Sequence, residues 1–382
     1  MGSELCAMGC SPHVHEMAHS LNLRYNLPMF IIGLGTAASP QRYTQRESWD
    51  ALQQWPQFPQ LKPRSQTILK KVLCGDNGID ARHLALEPLA EVFDQTPDAL
   101  QARYATHAPA LATEAAHQAL KNADSPPETI DAVLISTCTG YLCPGLTSYV
   151  SEQLGLRQNI FALDLVGQGC GAALPNLRAG EAILAAGRAK RVLSICVEVC
   201  SAAFFMDDDP GVLVSACLFA DGAGAAVLSN DPLPARRRIE WKFTDSRLVT
   251  AERDTLRFSH KNGMLRNILL PQVPQVAGGI AETLFSESLA AAGVKREQVT
   301  GWILHPGGRN VILALREKLK LSADDVRHSS AVLREFGNMS SATVYFVLER
   351  ALADAVPDGL WWLSAFGAGF SCHGAFLEVS AA

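Results

Sequence analysis

Gly167-Gln168-Gly169-Cys170-Gly171-Ala172-Ala173 leads into an apolar helical stretch, Leu174 to Gly187, and then into a strand-like run, Val192-Leu193-Ser194-Ile195-Cys196. Phe336-Gly337-Asn338-Met339-Ser340-Ser341 does the same later in the chain. A helical stretch follows it from Ala342 to Ala353, then Leu360-Trp361-Trp362-Leu363-Ser364. Working outward, a second pair of segments shares one order of helix, turn, strand and turn. The first runs Ala115 to Ala123, Pro126-Pro127-Glu128, Ala132-Val133-Leu134-Ile135 and Cys138-Thr139-Gly140. The other runs Ser288 to Ala292, Lys295-Arg296-Glu297, Gly301-Trp302-Ile303-Leu304 and His305-Pro306-Gly307-Gly308. His305 follows Cys138 by 167 residues, Asn338 follows Cys170 by 168, and Leu360 follows Val192 by 168. A constant shift across three landmarks is the mark of an internal duplication.

Helix and strand alternate in each copy, which predicts an α/β protein made of two mixed sheets covered by helices. The two related halves are expected to stack face to face. The first spans residues 29–235, opening on a strand from Met29 to Leu34 and passing through a mostly polar helical region to about Ala123. The second spans 236–382, and the joint lies near Asp231 to Arg238. Residues 1–28 read as a leader, or as an amphipathic helix to about Leu23 packed on the body.

At 382 residues the chain is long for one core and fits two domains or a duplicated one. Its 48% hydrophobic and 19% charged residues describe a well-buried globular protein. A net charge of -5 argues against a nucleic-acid partner, since phosphate recognition needs a basic surface. Arg236-Arg237-Arg238 reads as a solvated linker. The ten cysteines form no C-x2-C pair and several stand in apolar runs, the usage of a reducing cytoplasm. No stretch approaches the ~18 apolar residues of a membrane span, and the start of the sequence lacks the features of a secretory signal. Cys6, Cys10, His13, His15 and His19 have spacings that zinc could use, but without a second ligand pair the expectation is no metal.

Cys170, His305 and Asn338 each end an apolar run and are flanked by glycine. Singly they would be a core cysteine, a core histidine and a turn asparagine. Together, in matching repeat positions, they form the set needed for acyl-thioester carbon–carbon chemistry. A thiolate attacks, an imidazole pairs with it, and imidazole and amide bind a developing oxyanion. Cys170 and Asn338 occupy equivalent places just before a helix, so a pseudo-two-fold axis would bring those helix starts together at the junction of the halves. The helix dipole there is expected to lower the thiol pKa.

Gly-Cys-Gly, His-Pro-Gly-Gly and Gly-Asn-Met-Ser-Ser resemble the corresponding motifs of the type III polyketide synthases, the chalcone synthase superfamily, from about residue 29 to 380. Phe219-Ala220-Asp221-Gly222-Ala223-Gly224 resembles that family's Phe-Gly-Asp-Gly segment. Ala365-Phe366-Gly367-Ala368-Gly369 resembles its Gly-Phe-Gly-Pro-Gly loop, with Ala368 in place of proline. The resemblance implies a thiolase fold in an αβαβα layering and a homodimer. It also implies acyl-CoA and malonyl-CoA as substrates, with no metal or redox cofactor. By it, Cys170 carries the starter and the growing chain, while His305 and Asn338 activate the malonyl thioester.

Phe219 matches the gate between coenzyme A tunnel and cavity, and the second gate falls near Gln272. Lys70, Lys71 and Arg309 are the cations implied for coenzyme A. The implied substrate-binding positions are Cys138, Thr139, Cys143, Cys200, Ala203, Ser215, Gly263 and Ser340, with Phe366 and Gly367 in the C-terminal loop. Plant chalcone-type enzymes carry threonine where Cys138, Cys200 and Ala203 stand. The less polar set favours an aliphatic acyl starter and an alkylpyrone or alkylresorcinol product. A single-condensation ketoacyl synthase, and an aromatic synthase using malonyl units alone, are the alternatives. An inactive scaffold on the same fold is the reading from another class.

Overall fold

The computed structural model describes residues 27–234, 236–354 and 356–381. The N-terminal Cys/His cluster and the expected leader helix lie outside them. The strands in chain order are β1 (Met29–Ala38), β2 (Arg42–Thr44), β3 (Ala81–His83), β4 (Ala132–Thr137), β5 (Phe161–Val166), β6 (Arg191–Val199) and β7 (Asp221–Ser229). The second half contributes β8 (Arg238–Leu248), β9 (Leu256–Lys261), β10 (Met264–Leu269), β11 (Val299–Leu304), β12 (Gly359–Gly367) and β13 (Ser371–Ser380). From the centre outward the first half-sheet runs β1, β7, β6, β4, β5 and the second runs β8, β13, β12, β11. Each has antiparallel inner pairs and parallel outer pairing, two such pairs in the first half and one in the second. The order agrees over four strands of each half, as the repeat in the sequence predicts, and β5 is an addition to the first half without a counterpart.

The halves enclose a layer of helices. Ala173–Ala185 and Thr343–Ala353, the two repeat-equivalent helices, share one core with residues of both half-sheets, including Leu134, Leu228, Leu363 and Leu377. A buried polar network ties them together. Asn176 donates to Ser136 Oγ (2.8 Å) and to the Ile195 carbonyl (2.9 Å), its Oδ1 accepts from Ser194, and Ser194 meets the Tyr345 hydroxyl. With these partners made, the buried amide carries no unpaired polar atom. Outside the first half-sheet lies the helix Pro97–Asn122, which presents Ala112, Ala115, Ala116 and Ala119 to it. Gly33 of β1 permits that approach, since a Cβ there would meet the Ala119 carbonyl at 2.3 Å. Val273–Ala292 and Arg309–Lys318 cover the second half-sheet over Trp302, Trp362 and Phe376. The result is five layers, αβαβα.

The halves also join edge to edge. Met29 and Phe30 of β1 pair with Trp241 and Glu240 of β8, making one nine-stranded sheet. The basic run between them is engaged rather than free: Arg236 pairs with Asp124, Arg237 with Asp358, and Arg238 lies over the Phe30 ring. No helix among the described residues is long and apolar enough to cross a membrane.

Candidate active site

Cys170 occupies the middle of a tight turn, Gly169–Gly171, that feeds the central helix Ala173–Ala185. Asn338 stands just before the equivalent turn, Ser340–Ala342, which feeds Thr343–Ala353. The residue ahead of each is a glycine in the left-handed region, Gly169 at φ +57° and Gly337 at φ +81°, a conformation that suits glycine. The two turns pack on one another. Cys170 and Asn338 thus both stand at the junction of the halves.

Neighbours lock the arrangement. A Cβ on Gly367 would meet the Gln168 carbonyl at 2.4 Å and the Gly171 nitrogen at 2.6 Å, so this glycine lets β12 lie backbone to backbone against the nucleophile turn. The preceding residue, Phe366, sets its ring edge-on to His305 with centroids 5.1 Å apart. Gly307 is required there, because a Cβ would strike that ring at 2.7 Å. Asn338 is held from both ends: its Nδ2 donates to the Gly307 carbonyl (3.1 Å) and its Oδ1 accepts from the Ser340 N–H (2.9 Å). His305 lies at the end of β11, 1% exposed, and neither ring nitrogen has a hydrogen-bond partner. Buried polar atoms are normally satisfied, so an orphaned imidazole beside the site has its donor and acceptor free for a reactant.

Ser340 connects the halves chemically. Its hydroxyl donates to Cys170 Sγ (3.3 Å) and lies 3.4 Å from Glu198 Oε1. It adopts φ +51°, uncommon for a residue other than glycine and typical of functional positions. Glu198 is fully buried and collects donors around the nucleophile: Ser341 Oγ (2.5 Å), Thr139 Oγ1 (3.0 Å) and the Cys138 N–H (3.1 Å). Burial raises its carboxyl pKa against these hydrogen bonds.

The expected lowering of the thiol pKa is not what this closed site gives. Burial pushes Cys170 up to about 12, with the Ser340 hydrogen bond opposing and the nearby Glu198 adding to the rise. Burial likewise pushes His305 down to about 3. Desolvation outweighs the helix start, so thiol and imidazole are both neutral here and no hydrogen bond joins them.

A cavity of about 30 Å³ opens at Cys170. Cys138, Thr139, Cys200, Ala203, Ser215, Phe219 and Ser340 line it, whereas His305 and Asn338, both buried, are not among its lining residues. Phe366 and Gly367 stand behind the nucleophile rather than in the wall, and Ala368 takes the wall position. Two lining positions are corrected. Gly263 lies at the exposed tip of the β9–β10 hairpin, where Asn262 and Gly263 both have positive φ as a two-residue turn demands. Cys143 is exposed and outside the cavity. Gln272, where the second gate was expected, is also exposed. The hairpin arms instead contribute Leu256, Phe258 and Asn267. Neither Phe204, also in the wall, nor Glu198 carries a local motif, and only the alternation of β6 and the turn after it could have pointed to them.

Lys70 and Lys71 are exposed on the helix Pro63–Cys74, and Arg309 is exposed but paired with Asp76 at 2.9 Å. None of the three lines the cavity. Among the described residues no three His, Cys, Asp or Glu side chains are grouped to hold a metal.

A cysteine turn at the start of one central helix, packed against the equivalent turn of the other half of a duplicated five-layer sandwich, is the architecture of the thiolase fold. Family models narrow this. That for the N-terminal domain of chalcone and stilbene synthases matches residues 21–232, and that for their C-terminal domain matches 255–375. The 3,5-dihydroxyphenylacetyl-CoA synthase of Streptomyces toyocaensis is 32% identical over 85% of this chain and 83% of its own. The enzyme of the same name from Amycolatopsis balhimycina is also 32% identical, over 85% of each chain. The crystal structure of PKS-I from the brown alga Ectocarpus siliculosus superposes with a TM-score of 0.83, 26% identity and coverage of 92% of this chain and 98% of that one. The chain belongs to the chalcone and stilbene synthase family: it is a type III polyketide synthase, an acyltransferase.

Proposed function

We propose that this enzyme loads an aliphatic acyl group from its coenzyme A thioester onto Cys170 and extends it iteratively with malonyl-CoA. The chain is then cyclised to an alkylpyrone or alkylresorcinol. In loading, the Cys170 sulfur forms a thioester with the acyl carbon and coenzyme A leaves as the thiol. Malonyl-CoA then loses its carboxylate as carbon dioxide, leaving an enolate at the thioester. The enolate carbon attacks the acyl–Cys170 carbonyl, a carbon–carbon bond forms, and the Cys170 thiolate departs. His305 and Asn338 serve the enolate oxygen. A neutral imidazole with no protein partner can still donate one N–H, and the Asn338 amide has a second hydrogen beyond the one given to Gly307. Losing one such donor typically lowers rate by about 10²–10³. The reaction runs on these side chains and coenzyme A thioesters, with no metal or redox cofactor.

The observation supporting an aliphatic starter is the wall of the Cys170 cavity. Cys138, Cys200, Ala203, Phe204, Phe219 and Leu256 give it an apolar surface, and each methylene buried there is worth roughly 0.8 kcal/mol. A second reading, a synthase that uses malonyl units alone and makes a hydroxylated aromatic, is favoured by the 32% identical relatives named for 3,5-dihydroxyphenylacetyl-CoA. We further propose a cytoplasmic homodimer.

Product mass separates the readings. Enzyme and a Cys170→Ala control are given malonyl-CoA with acyl-CoA starters of graded length. Pyrones or resorcinols bearing the starter plus two or three ketide units are expected. Products containing malonate carbon only would replace this reading with the second, and a single-extension β-keto product would refute iteration.

A further inference from the structure

A cavity of about 200 Å³ opens in a wedge between two helices of the second half, and its walls share no residue with the cavity at Cys170. One wall is the helix Arg309–Lys318, which begins shortly after His305; the other is the helix Arg327–Phe336, which leads into Asn338. Arg309, Ile312, Leu313 and Arg316 recur at intervals of three and four residues and so share one face of the first helix. Ser330, Leu333 and Arg334 share a face of the second, with Val326 just before it.

Three guanidinium groups thus line one wedge, against a single carboxylate, Asp76. Two of them are paired, Arg309 with Asp76 at 2.9 Å and Arg334 with Asp80 at 3.1 Å. Arg316 is not: it makes no ion pair among the described residues, and its Nε is buried without a hydrogen-bond partner. A buried donor left unsatisfied is costly, and a guanidinium presents a rigid fork of N–H groups that matches a phosphate bidentately. The remaining lining is apolar. Ile312, Val326 and Leu333 are buried, while Leu313 is 46% exposed and lacks a cover.

We infer that this wedge binds an organic phosphate monoester with a small apolar body. The phosphate lies on the Arg316 fork with the Ser330 hydroxyl as a further donor, and the apolar body covers Leu313. At roughly 10–15 Å³ for each water-sized occupant, the space holds on the order of ten heavy atoms. That is the size of an aryl phosphate and far below that of a coenzyme A thioester.

Isothermal titration calorimetry of the full chain with phenyl phosphate tests this, with inorganic phosphate and phenol titrated separately. Saturable binding of phenyl phosphate, tighter than that of either fragment, is expected. Arg316→Gln removes the fork while keeping much of the side chain's length, and melting temperature reports its folding. It is expected to weaken binding at least tenfold, as the loss of one charge-assisted hydrogen bond implies. Saturating coenzyme A should leave the affinity for phenyl phosphate unchanged. No saturable binding would mean that only water occupies the wedge and would overturn the inference, as would equal affinity in folded Arg316→Gln. Displacement by coenzyme A would give the wedge to the substrate's own phosphates and overturn it as a separate site.

Discussion

The Ser340 hydroxyl, carried by the second half of the molecule, donates to the Cys170 thiol, carried by the first, at 3.3 Å. This hydrogen bond is the larger of two, the other from backbone, that oppose burial at the sulfur. A hydrogen bond of this kind contributes about 0.5–1.5 kcal/mol.

Removing it should therefore raise the thiol pKa further and leave less thiolate at a given pH. Ser340→Ala is expected to slow iodoacetamide labelling of Cys170 roughly two- to tenfold at pH 8, read by peptide mass spectrometry. In the parent enzyme, where burial holds the pKa near 12, the labelling rate should keep rising with pH through 9. A plateau already reached by pH 7 would show a thiolate–imidazolium pair in the free enzyme and refute the neutral resting state.

Gly367 and the Gly169–Gly171 turn touch through backbone atoms, which cannot move aside as a flexible side chain can. Gly367→Ala places a methyl 2.4 Å from the Gln168 carbonyl oxygen. The expected cost is about 1–3 kcal/mol, in the range of overpacked cores, together with loss of Cys170 acylation as the turn is displaced. Urea unfolding and acyl-enzyme mass report the two effects. A variant with parental stability and loading would mean that β12 does not fix the nucleophile.

What was readable in the sequence follows from how local each feature is. Both left-handed glycines stand beside the residue they orient, so Gly-Cys and Gly-Asn carried the site at short range, and the equal offsets carried the duplicated sheet order. Glu198 and Phe204 reach the Cys170 cavity through contacts made only in the folded sheet, which no spacing encodes. Gly263 and Gln272 went astray because the β9–β10 hairpin has its tip exposed: the arms, carrying Leu256, Phe258 and Asn267, reach the cavity while the turn does not. The thiol pKa was misjudged for a similar reason, since a helix start is visible in sequence and desolvation is not.

His305 gives a pH prediction. Burial lowers its pKa to about 3 in the folded state, against roughly 6.5 when unfolded. Below pH 6.5 the unfolded chain binds a proton that the folded one refuses, so stability must fall as pH drops toward 3. The loss attributable to this residue is roughly 1 kcal/mol per pH unit. His373, pushed down to about 4 by burial, acts in the same direction. Urea midpoints between pH 7 and 4.5 should decline less steeply in His305→Gln than in the parent. Equal slopes would mean that the imidazole is already solvated or charged.

The outer edge of β5 argues for a second copy of the chain. Among the described residues β5 ends the sheet and pairs only with β4, and Phe161, Leu163 and Val166 are 53%, 36% and 60% exposed. Soluble proteins usually protect such an edge with charge, a proline or a bulge. The one charged residue of β5, Asp164, is spent internally, its carboxylate accepting from the Thr147 N–H (3.2 Å) and hydroxyl (2.5 Å) at the start of the helix Leu146–Leu154. An unblunted apolar edge of this kind fits a homodimer interface, for which about 800 Å² per partner is typical. Light scattering at micromolar concentration should give a dimer for the parent, and Phe161→Asp with Val166→Lys should give a folded monomer. A monomeric parent, or a double variant that remains dimeric, would show that this edge does not hold the copies together.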